Sequence, residues 1–243
     1  MILQAMGTVL SLTLSVPEPA RLAGQVAGLL DEIEGRFSLH RPGSESCRLN
    51  RGEIALDGVS ETFRFCHELA MQWCRATDGA FAPVGPGGCL DLSGVVKAYA
   101  MQQVADELAV QGLADWCLNV GGDVLVDGSD LGGGAERSWT AGIVDPDDRS
   151  RLFSQFTLSR RYPALATSGV AERGGHIWST PGAEPFVQVS VAGPDIVCAD
   201  VLATAVLAGG RPVLDLACAR WDVAVLAVAQ DGGLFATPHF LAD

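Results

Sequence analysis

One apolar segment, 199–207, carries a polar pair at a spacing that could hold a metal ion. Asp200 and Thr204 are four residues apart, so a helix places their oxygens on one face of otherwise apolar sequence. A carboxylate and a hydroxyl, together with a backbone carbonyl and ligand phosphates, form an oxygen set that Mg²⁺ accepts. The alternative is structural: Asp200 lies near the positive end of the helix, and Thr204 bonds back to a carbonyl.

The segment 91–99, with sequence DLSGVVKAY, is a glycine-containing turn that leads into a helix. The first turn of such a helix presents unpaired backbone N–H groups to an anion. Lys97 could add a positive charge for phosphate, and Asp91 could accept a hydrogen bond from a ribose hydroxyl or a base amine. In the structural alternative, Ser93 caps the helix, Lys97 is solvated and Asp91 belongs to the turn. The segment matches neither the Walker A motif nor GxGxxG.

Two more polar motifs follow along the chain. In NVGGD at 119–123, the paired glycines allow positive φ and close approach of a ligand to the backbone, although a plain hairpin turn explains the same residues. Farther on, TSG at 167–169 precedes His176 and Ile177. His176 could act at a site, or it could be a structural or exposed histidine.

The elements that must position these side chains mix helices and strands. Apolar residues at spacings of three and four predict helices over 17–37, 60–77, 93–111 and 199–207, with a shorter one over 212–219. The second helix is predicted to be capped by Ser60 and to face inward with Phe65, Cys66, Leu69 and Trp73. Short apolar runs predict strands over 8–16, 116–120, 123–126, 138–144, 151–158, 163–168, 186–192, 223–229 and 234–237. The segment 38–57 is polar and irregular, and the order of elements predicts one α+β domain over 1–243.

Composition narrows the function classes. The chain has 243 residues with 16 Lys+Arg and 29 Asp+Glu, a formal net charge of −13. This acidity argues against nucleic acid and against an anionic membrane surface as partners, because both need concentrated basic residues. With 48% hydrophobic residues the chain can bury a large core, yet no uninterrupted apolar run is long enough to predict membrane insertion. An anionic ligand would need a cation or well-placed donors to offset the field of the chain.

The seven cysteines are odd in number and form no CxxC pair, so reduced thiols are expected rather than disulfides or a zinc site. The first residues, MILQAMGT, lack the basic region of a signal peptide. Together these features predict a cytoplasmic protein, and they leave its oligomeric state open.

Taken in order, these motifs resemble the FAD:protein FMN transferase family, the ApbE-like proteins. The matching segments are AMGT at 5–8, FS at 37–38, Ser46, LN at 49–50, DGAF at 78–81, DLSGVVKAYA at 91–100, NVGGD at 119–123, TSG at 167–169, HI at 176–177 and ADVLATA at 199–205. Each motif alone is weak, and their common order carries the resemblance.

The resemblance implies that the chain binds FAD with Mg²⁺, cleaves its pyrophosphate and moves FMN onto a Thr or Ser hydroxyl of a target protein. It implies Mg²⁺ ligands at Asp200 and Thr204, joined by a backbone carbonyl near Gly94. The residues implied to line the FAD site are Met6, Ala80, Phe81, Asp91, Lys97, His176 and Ile177. Lys97 would engage phosphate, and His176 would be a base or a ligand contact. Bound Mg²⁺ would also let so acidic a chain accept a diphosphate.

The chain departs from the family pattern at three places. Only 82–90 separates the DGAF and DLSG motifs, where the family has a longer segment, and Ala82 stands where the family commonly has Asp. The residues after His176 lack the Asp and Arg of the family's HIIDPRTG, and Val170 replaces the usual Tyr. Two alternatives therefore stay open beside FMN transfer. One is an FAD pyrophosphatase without transfer, and the other is a catalytically silent FAD- or nucleotide-binding protein.

Overall fold

The computed structural model describes residues 1–85, 87–128, 138–170 and 186–241. Within these ranges it has ten strands and six α-helices. The strands are β1 (Ile2–Ala5), β2 (Thr8–Leu14), β3 (Trp116–Val120), β4 (Asp123–Asp127), β5 (Thr140–Val144), β6 (Leu152–Thr157), β7 (Ala164–Gly169), β8 (Phe186–Gly193), β9 (Ala224–Ala229) and β10 (Leu234–Ala236). The helices are α1 (Leu22–Phe37), α2 (Glu45–Asn50), α3 (Glu61–Ala76), α4 (Ser93–Val110), α5 (Ile196–Arg220) and α6 (Pro238–Leu241).

Eight of the described strands form one sheet in the order β1-β2-β3-β4-β7-β8-β9-β10, and every neighbouring pair is antiparallel. The register aligns apolar residues across the strands, since Leu118 on β3 lies opposite Leu12 on β2 and Leu125 on β4. Strands β5 and β6 pair separately as an antiparallel hairpin. The predicted α+β class is confirmed: antiparallel strands need no helical crossover between them.

One face of the large sheet is covered by helices. Apolar residues at spacings of three and four predict the helix over 17–37 and one inward face, made of Leu22, Val26, Leu29, Leu30, Ile33 and Phe37. In α1 these residues face the core, all of them buried except Leu29, which is partly buried. The ring of Phe37 stacks on Phe63 of α3, with the ring centroids 5.1 Å apart. Helix α5 packs over β7 and β8, where its Leu202 and Val206 lie in one apolar cluster with Val191 of β8. The helices that carry the candidate site residues, α4 and α5, are thus held against the sheet by apolar burial.

The opposite face is covered by the β5–β6 hairpin and by α6. Val124, Val126 and Leu165 of the large sheet pack here with Ile143 of β5 and Phe156 of β6. Because both faces of the central strands are buried, β4 has the nearly unbroken apolar sequence of a fully covered strand.

Three local expectations from the sequence are wrong. Strand β1 was not predicted, and the segment 38–57 is not wholly irregular, because it contains α2 and a 3₁₀ turn at Leu56–Gly58. The Ser44 hydroxyl starts α2 by accepting the N–H of Cys47 at 3.0 Å. In α3, Ser60 is the N-cap as predicted. Phe65 is nevertheless 53% exposed, and Phe63 is buried in its place.

The two helices predicted over 199–207 and 212–219 join into α5, with a kink at Gly210, where φ is 64° and ψ is −152°. Pro212 follows the kink and cannot continue the hydrogen-bond ladder. By length and composition, α5 is the one candidate for a membrane-spanning helix among the described residues, but 72% of its apolar window is buried inside the domain. That burial is typical of a core helix.

Candidate functional site

A cavity of about 690 Å³ opens between α1, α4, α5 and the turns next to them. The turn after β1, the segment after α3, the β3–β4 turn and the β5–β6 turn all reach its wall. It brings together seven of the residues singled out from the sequence, namely Met6, Ala80, Phe81, Asp91, Gly94, Lys97 and Thr204. His40 and Arg149 also line it, and neither was predicted.

The innermost polar group of this region is a cluster of three charged side chains from three elements. Lys97 on α4 reaches Asp123 at the start of β4 and Asp200 on α5. The Lys97 ammonium is in direct contact with Asp123 Oδ2 and lies 3.5 Å from Asp200 Oδ1. Both carboxylate side chains are 1% exposed, and Lys97 is 14% exposed. Lys97 is therefore not the solvated residue of the structural alternative.

Asp123 is held by the backbone as well as by Lys97. Its Oδ1 accepts the N–H of Thr167 on the neighbouring strand β7 at 3.1 Å. Burial raises the pKa of Asp123 to about 6; the Lys97 ammonium opposes this rise, and the Asp200 carboxylate adds to it. A carboxyl with its pKa displaced this far, beside a cavity, is typical of functional sites.

Asp200 carries an open oxygen. Within the described part of the chain, its Oδ2 is buried and has no hydrogen-bond partner. Asp200 does not cap α5; that role belongs to Asp195, whose side chain accepts the N–H of Cys198 at 2.8 Å. One turn after Asp200, the Thr204 hydroxyl lies 3.2 Å from the Ser168 hydroxyl of β7. A buried carboxylate oxygen without a partner is unfavourable unless a cation completes it.

These oxygens suit the magnesium that the resemblance implies. Mg²⁺ binds oxygen ligands and usually keeps one or two carboxylates, waters and substrate phosphates. Asp200 offers a buried carboxylate oxygen without a hydrogen-bond partner among the described residues. Thr204 lines the cavity, whereas Asp200 lies behind the cavity wall, in contact with the lining residue Lys97. No group of three or more His, Cys, Asp or Glu side chains suited to a metal occurs in the described ranges.

The start of α4 is formed by close packing against the segment 77–81. The Thr77 hydroxyl accepts the Phe81 N–H at 3.1 Å, which fixes the buried Phe81 ring over Gly94. A Cβ at Gly94 would lie 2.7 Å from Phe81 Cε2, so only glycine leaves room for the ring. Asp91 Oδ1 accepts the Ser93 N–H at 2.8 Å, whereas the N-cap position belongs to Leu92. Ser93 is therefore not the cap of α4.

The NVGGD segment serves as both a hairpin turn and part of the site. Asn119 Oδ1 accepts the Gly122 N–H at 3.1 Å inside the β3–β4 turn. Gly121 has a φ of 61° and lines the cavity, where an added Cβ would lie 2.8 Å from the Thr8 hydroxyl oxygen. Asp123 directly follows the glycines and begins β4.

His176 and Ile177, which the sequence placed at the site, lie outside the described residues. Asp123 and Ser168 belonged to motifs noted in the sequence, but no pattern assigned them a partner. Their roles depend on strand pairing between β4 and β7. His40 and Arg149 come from loops with no local motif, so nothing in the sequence placed them at the cavity.

A family model described as the ApbE family matches residues 6–86 and 83–226. The chain belongs to the ApbE family. The FAD:protein FMN transferase of Rhodobacter capsulatus is 34% identical to this ApbE chain over 169 residues, a match that covers 65% of the chain and 31% of that relative. The chain thus spans about a third of the curated relative's length.

Solved ApbE structures share the fold along the whole chain. The flavin transferase ApbE from Vibrio cholerae has a TM-score of 0.78 at 21% identity, covering 100% of this chain and 97% of that one. The Pseudomonas stutzeri flavinyl transferase ApbE, in its apo form, has a TM-score of 0.79 at 18% identity, covering 100% and 96% of the two chains. The ApbE protein from Thermotoga maritima has a TM-score of 0.78 at 19% identity, covering 100% and 97%. At these identities the likeness establishes the ApbE fold.

Proposed function

We propose that this chain is a Mg²⁺-dependent FAD:protein FMN transferase, which cleaves FAD and attaches FMN to a Thr or Ser of a target protein. The observation that carries the proposal is the buried Lys97–Asp123–Asp200 cluster, with an open Asp200 oxygen beside a dinucleotide-sized cavity. A cavity of about 690 Å³ lies within the usual range for sites of small ligands and cofactors. The curated relative, named FAD:protein FMN transferase, supports the same activity.

The cavity wall supplies groups that suit the parts of FAD. Met6 and Ala80 offer apolar contacts for a ring system, and Phe81 supports the wall from behind by packing on Gly94. Asp91 would accept a hydrogen bond from a ribose hydroxyl. Ile177, outside the described residues, is proposed as a further FAD contact.

Asp200, Thr204 and a backbone carbonyl near Gly94 would hold the Mg²⁺. When bound, the cation would screen the diphosphate and stabilise negative charge on the leaving AMP. Lys97 adds a second positive charge at the cavity wall, where it favours the approach of the diphosphate. His176 is proposed as a base or ligand contact. As a base, His176 would take the proton of the target hydroxyl. The hydroxyl oxygen would then bond to the FMN phosphorus, and the bridging P–O bond to the leaving AMP would break.

The short segment after Phe81 favours FAD hydrolysis as a second candidate. Val84 forms a bridge with Leu90, and the Asn50 side chain makes two hydrogen bonds of 2.9 Å to the Leu90 backbone. Among the described residues, this segment is thus tied down as a small turn. We propose that so short a turn covers the site less than a longer segment would. Transfer to a protein hydroxyl must exclude competing water, and a poorly covered site favours release of free FMN.

Mass spectrometry on the chain mixed with FAD, Mg²⁺ and a candidate target separates the candidates. Transfer gives AMP and a flavin-sized adduct on the target, pyrophosphatase activity gives AMP and free FMN, and a silent binding protein leaves FAD intact.

Asp200→Ala is expected to abolish Mg²⁺-dependent FAD turnover without unfolding the chain. Asp215→Ala, an exposed change on the same helix α5, is the matched control. Unchanged turnover in Asp200→Ala would refute the metal assignment.

Two broader proposals accompany this function. Residues 1–243 are proposed to act as one domain, because β1 and β10 are opposite edges of the same sheet. A cytoplasmic location is proposed because all seven cysteines are free, with burial raising the pKa of the Cys66 and Cys198 thiols to about 12.

A further inference from the structure

The Lys97–Asp123–Asp200 cluster has an unequal charge count. Among the described residues of this cluster, two carboxylates and one ammonium leave one net negative charge, and both carboxylate side chains are 1% exposed. A buried surplus charge is unfavourable unless another ion offsets it. The cluster is therefore electrostatically suited to accept one more cation.

The ammonium is not shared equally between the carboxylates. Lys97 Nζ is in direct contact with Asp123 Oδ2, but it lies 3.5 Å from Asp200 Oδ1. Asp123 is itself immobilised, because its Oδ1 accepts the N–H of Thr167 on β7. Asp200 Oδ2 has no hydrogen-bond partner in the part of the chain that the structure describes. Asp123 Oδ2 likewise has no hydrogen-bond partner among the described residues, but it is in direct contact with the Lys97 ammonium. The ammonium approaches Asp200 at Oδ1 instead, so Asp200 Oδ2 is the more available of the two oxygens.

We propose that Asp123 is a positioning residue that holds the Lys97 ammonium off Asp200 Oδ2 and so keeps this oxygen open for a divalent cation. This inference rests on the metal site proposed above, and it assigns a role to a residue that need not touch either metal or FAD. Lys97 is a point charge on a flexible stem. Without the Asp123 carboxylate, its ammonium moves to Asp200 and competes with the cation for the same oxygens.

A double-mutant cycle on Mg²⁺ affinity tests the role without FAD and without activity. Isothermal titration calorimetry would compare wild type, Asp123→Asn, Lys97→Met and the double variant. Asp123→Asn is expected to weaken Mg²⁺ binding about tenfold or more when Lys97 is present, the range found for groups that support metal ligands. In the Lys97→Met background the same change should have little effect, because no ammonium remains to compete.

The cycle separates positioning from a simple loss of charge. A carboxylate that acted only through its charge would contribute independently of Lys97, so its removal would weaken Mg²⁺ binding by the same factor in both backgrounds. Equal losses would therefore overturn the positioning role. Asp215→Asn removes a carboxylate from the exposed end of the same helix α5, and its Mg²⁺ affinity should match wild type.

Nuclear magnetic resonance gives an independent readout, because Lys97 is the only lysine in the sequence. Labelling with ¹⁵N-lysine yields a single Nζ resonance. In Asp123→Asn, Mg²⁺ should shift this resonance strongly as the cation displaces the ammonium from Asp200. In wild type the shift should be smaller, because Asp123 already holds the ammonium. A response of the same size in both proteins would contradict the proposal.

Failure of the metal site and failure of the positioning role give different results. If Asp200→Asn binds Mg²⁺ as well as wild type does, the metal site itself is wrong and the positioning role falls with it. If Asp200→Asn loses binding while Asp123→Asn retains it, only the positioning role is wrong. As a folding control, the circular dichroism spectrum of each variant is compared with that of wild type. Asp123→Ser, which removes the same charge with a smaller side chain, replaces Asp123→Asn in the cycle if the latter does not fold.

Discussion

At the scale of single residues, the candidate site depends on charges buried close to one another. Lys97 lies between two carboxylates that water barely reaches, so its charge is worth more there than on the surface. The Arg161–Asp222 pair illustrates the contrast. Both of its side chains are more than half exposed, and such pairs contribute little to stability. The consequences of the buried cluster can be measured one residue at a time.

Asp123 gives the metal-free protein a pH-dependent stability. Burial raises the pKa of Asp123 to about 6, from an ordinary value near 4 in the unfolded chain. The folded state therefore binds the proton more tightly. The stability contributed by this group is greatest below about pH 4 and is lost as pH rises to about 6.

Urea unfolding with a chelator present, at intervals between pH 4 and 7, measures this effect. The unfolding free energy of wild type minus that of Asp123→Asn should fall across the window. A difference that instead rises with pH would mean that the Lys97 ammonium lowers the pKa of Asp123 more than burial raises it.

Gly94 allows a second test at this scale. A Cβ there would come within 2.7 Å of the Phe81 ring, which is buried and tied through its backbone to Thr77. Gly94→Ala is therefore expected to destabilise the protein by about 1–3 kcal/mol and to narrow the cavity. Gly24→Ala in α1 is the matched control, since nothing lies within 4 Å of its added Cβ. That change should be neutral or stabilising, and equal destabilisation by both would contradict the packing argument.

At the scale of elements, short-range patterns located most helices and strands but not their ends or partners. The spacing of Leu22, Val26 and Leu30 predicted α1 because a helix repeats its face every three to four residues. The same rule assigned Phe65 to the buried face of α3 wrongly, because Phe63, Cys66 and Ala70 form an equally regular face. The contact between Lys97 and Asp123 joins a helix to a strand that is distant in sequence, and no local pattern encodes it.

Helix α5 carries Asp200 and Thr204, so its start should influence both stability and the site. Asp195 is its N-cap and accepts the Cys198 N–H at 2.8 Å. Asp195→Ala is expected to lower the free energy of unfolding by about 1 kcal/mol, since that donor loses its acceptor. Arg21→Ala provides the comparison, because Arg21 is the N-cap of α1 and makes no side-chain capping bond. Thermal unfolding of both variants should show a loss only for Asp195→Ala.

At the scale of the whole molecule, a net charge of −13 has to coexist with a diphosphate ligand. In the antiparallel sheet β4 pairs with β7, and α5 packs against this part of the sheet. The packing brings Asp123, Ser168 and Asp200 into one interior region. Glu34 and Asp91 are further acidic residues that line the cavity. A specifically bound cation would offset the surplus charge of the buried cluster, although the overall field repels anions.

This arrangement predicts that Mg²⁺ stabilises the folded chain through one site. A cation that binds only the folded state adds about 2.7 kcal/mol at a concentration of 100 Kd, which for a domain of this size raises Tm by roughly 5–10 °C. Differential scanning calorimetry of wild type and Asp200→Asn, each with and without Mg²⁺, should show this rise in wild type alone.

General screening is the competing explanation, because any salt relieves the self-repulsion of so acidic a chain. Stabilisation by screening depends only on ionic strength, whereas stabilisation by a bound cation also requires the Asp200 carboxylate. NaCl at the same ionic strength should therefore raise the Tm of wild type and of Asp200→Asn by the same small amount. Only Mg²⁺ should separate the two proteins, and it should do so at concentrations too low to change the ionic strength. A Mg²⁺ effect that survives in Asp200→Asn would assign the stabilisation to the acidic surface instead of to the buried cluster.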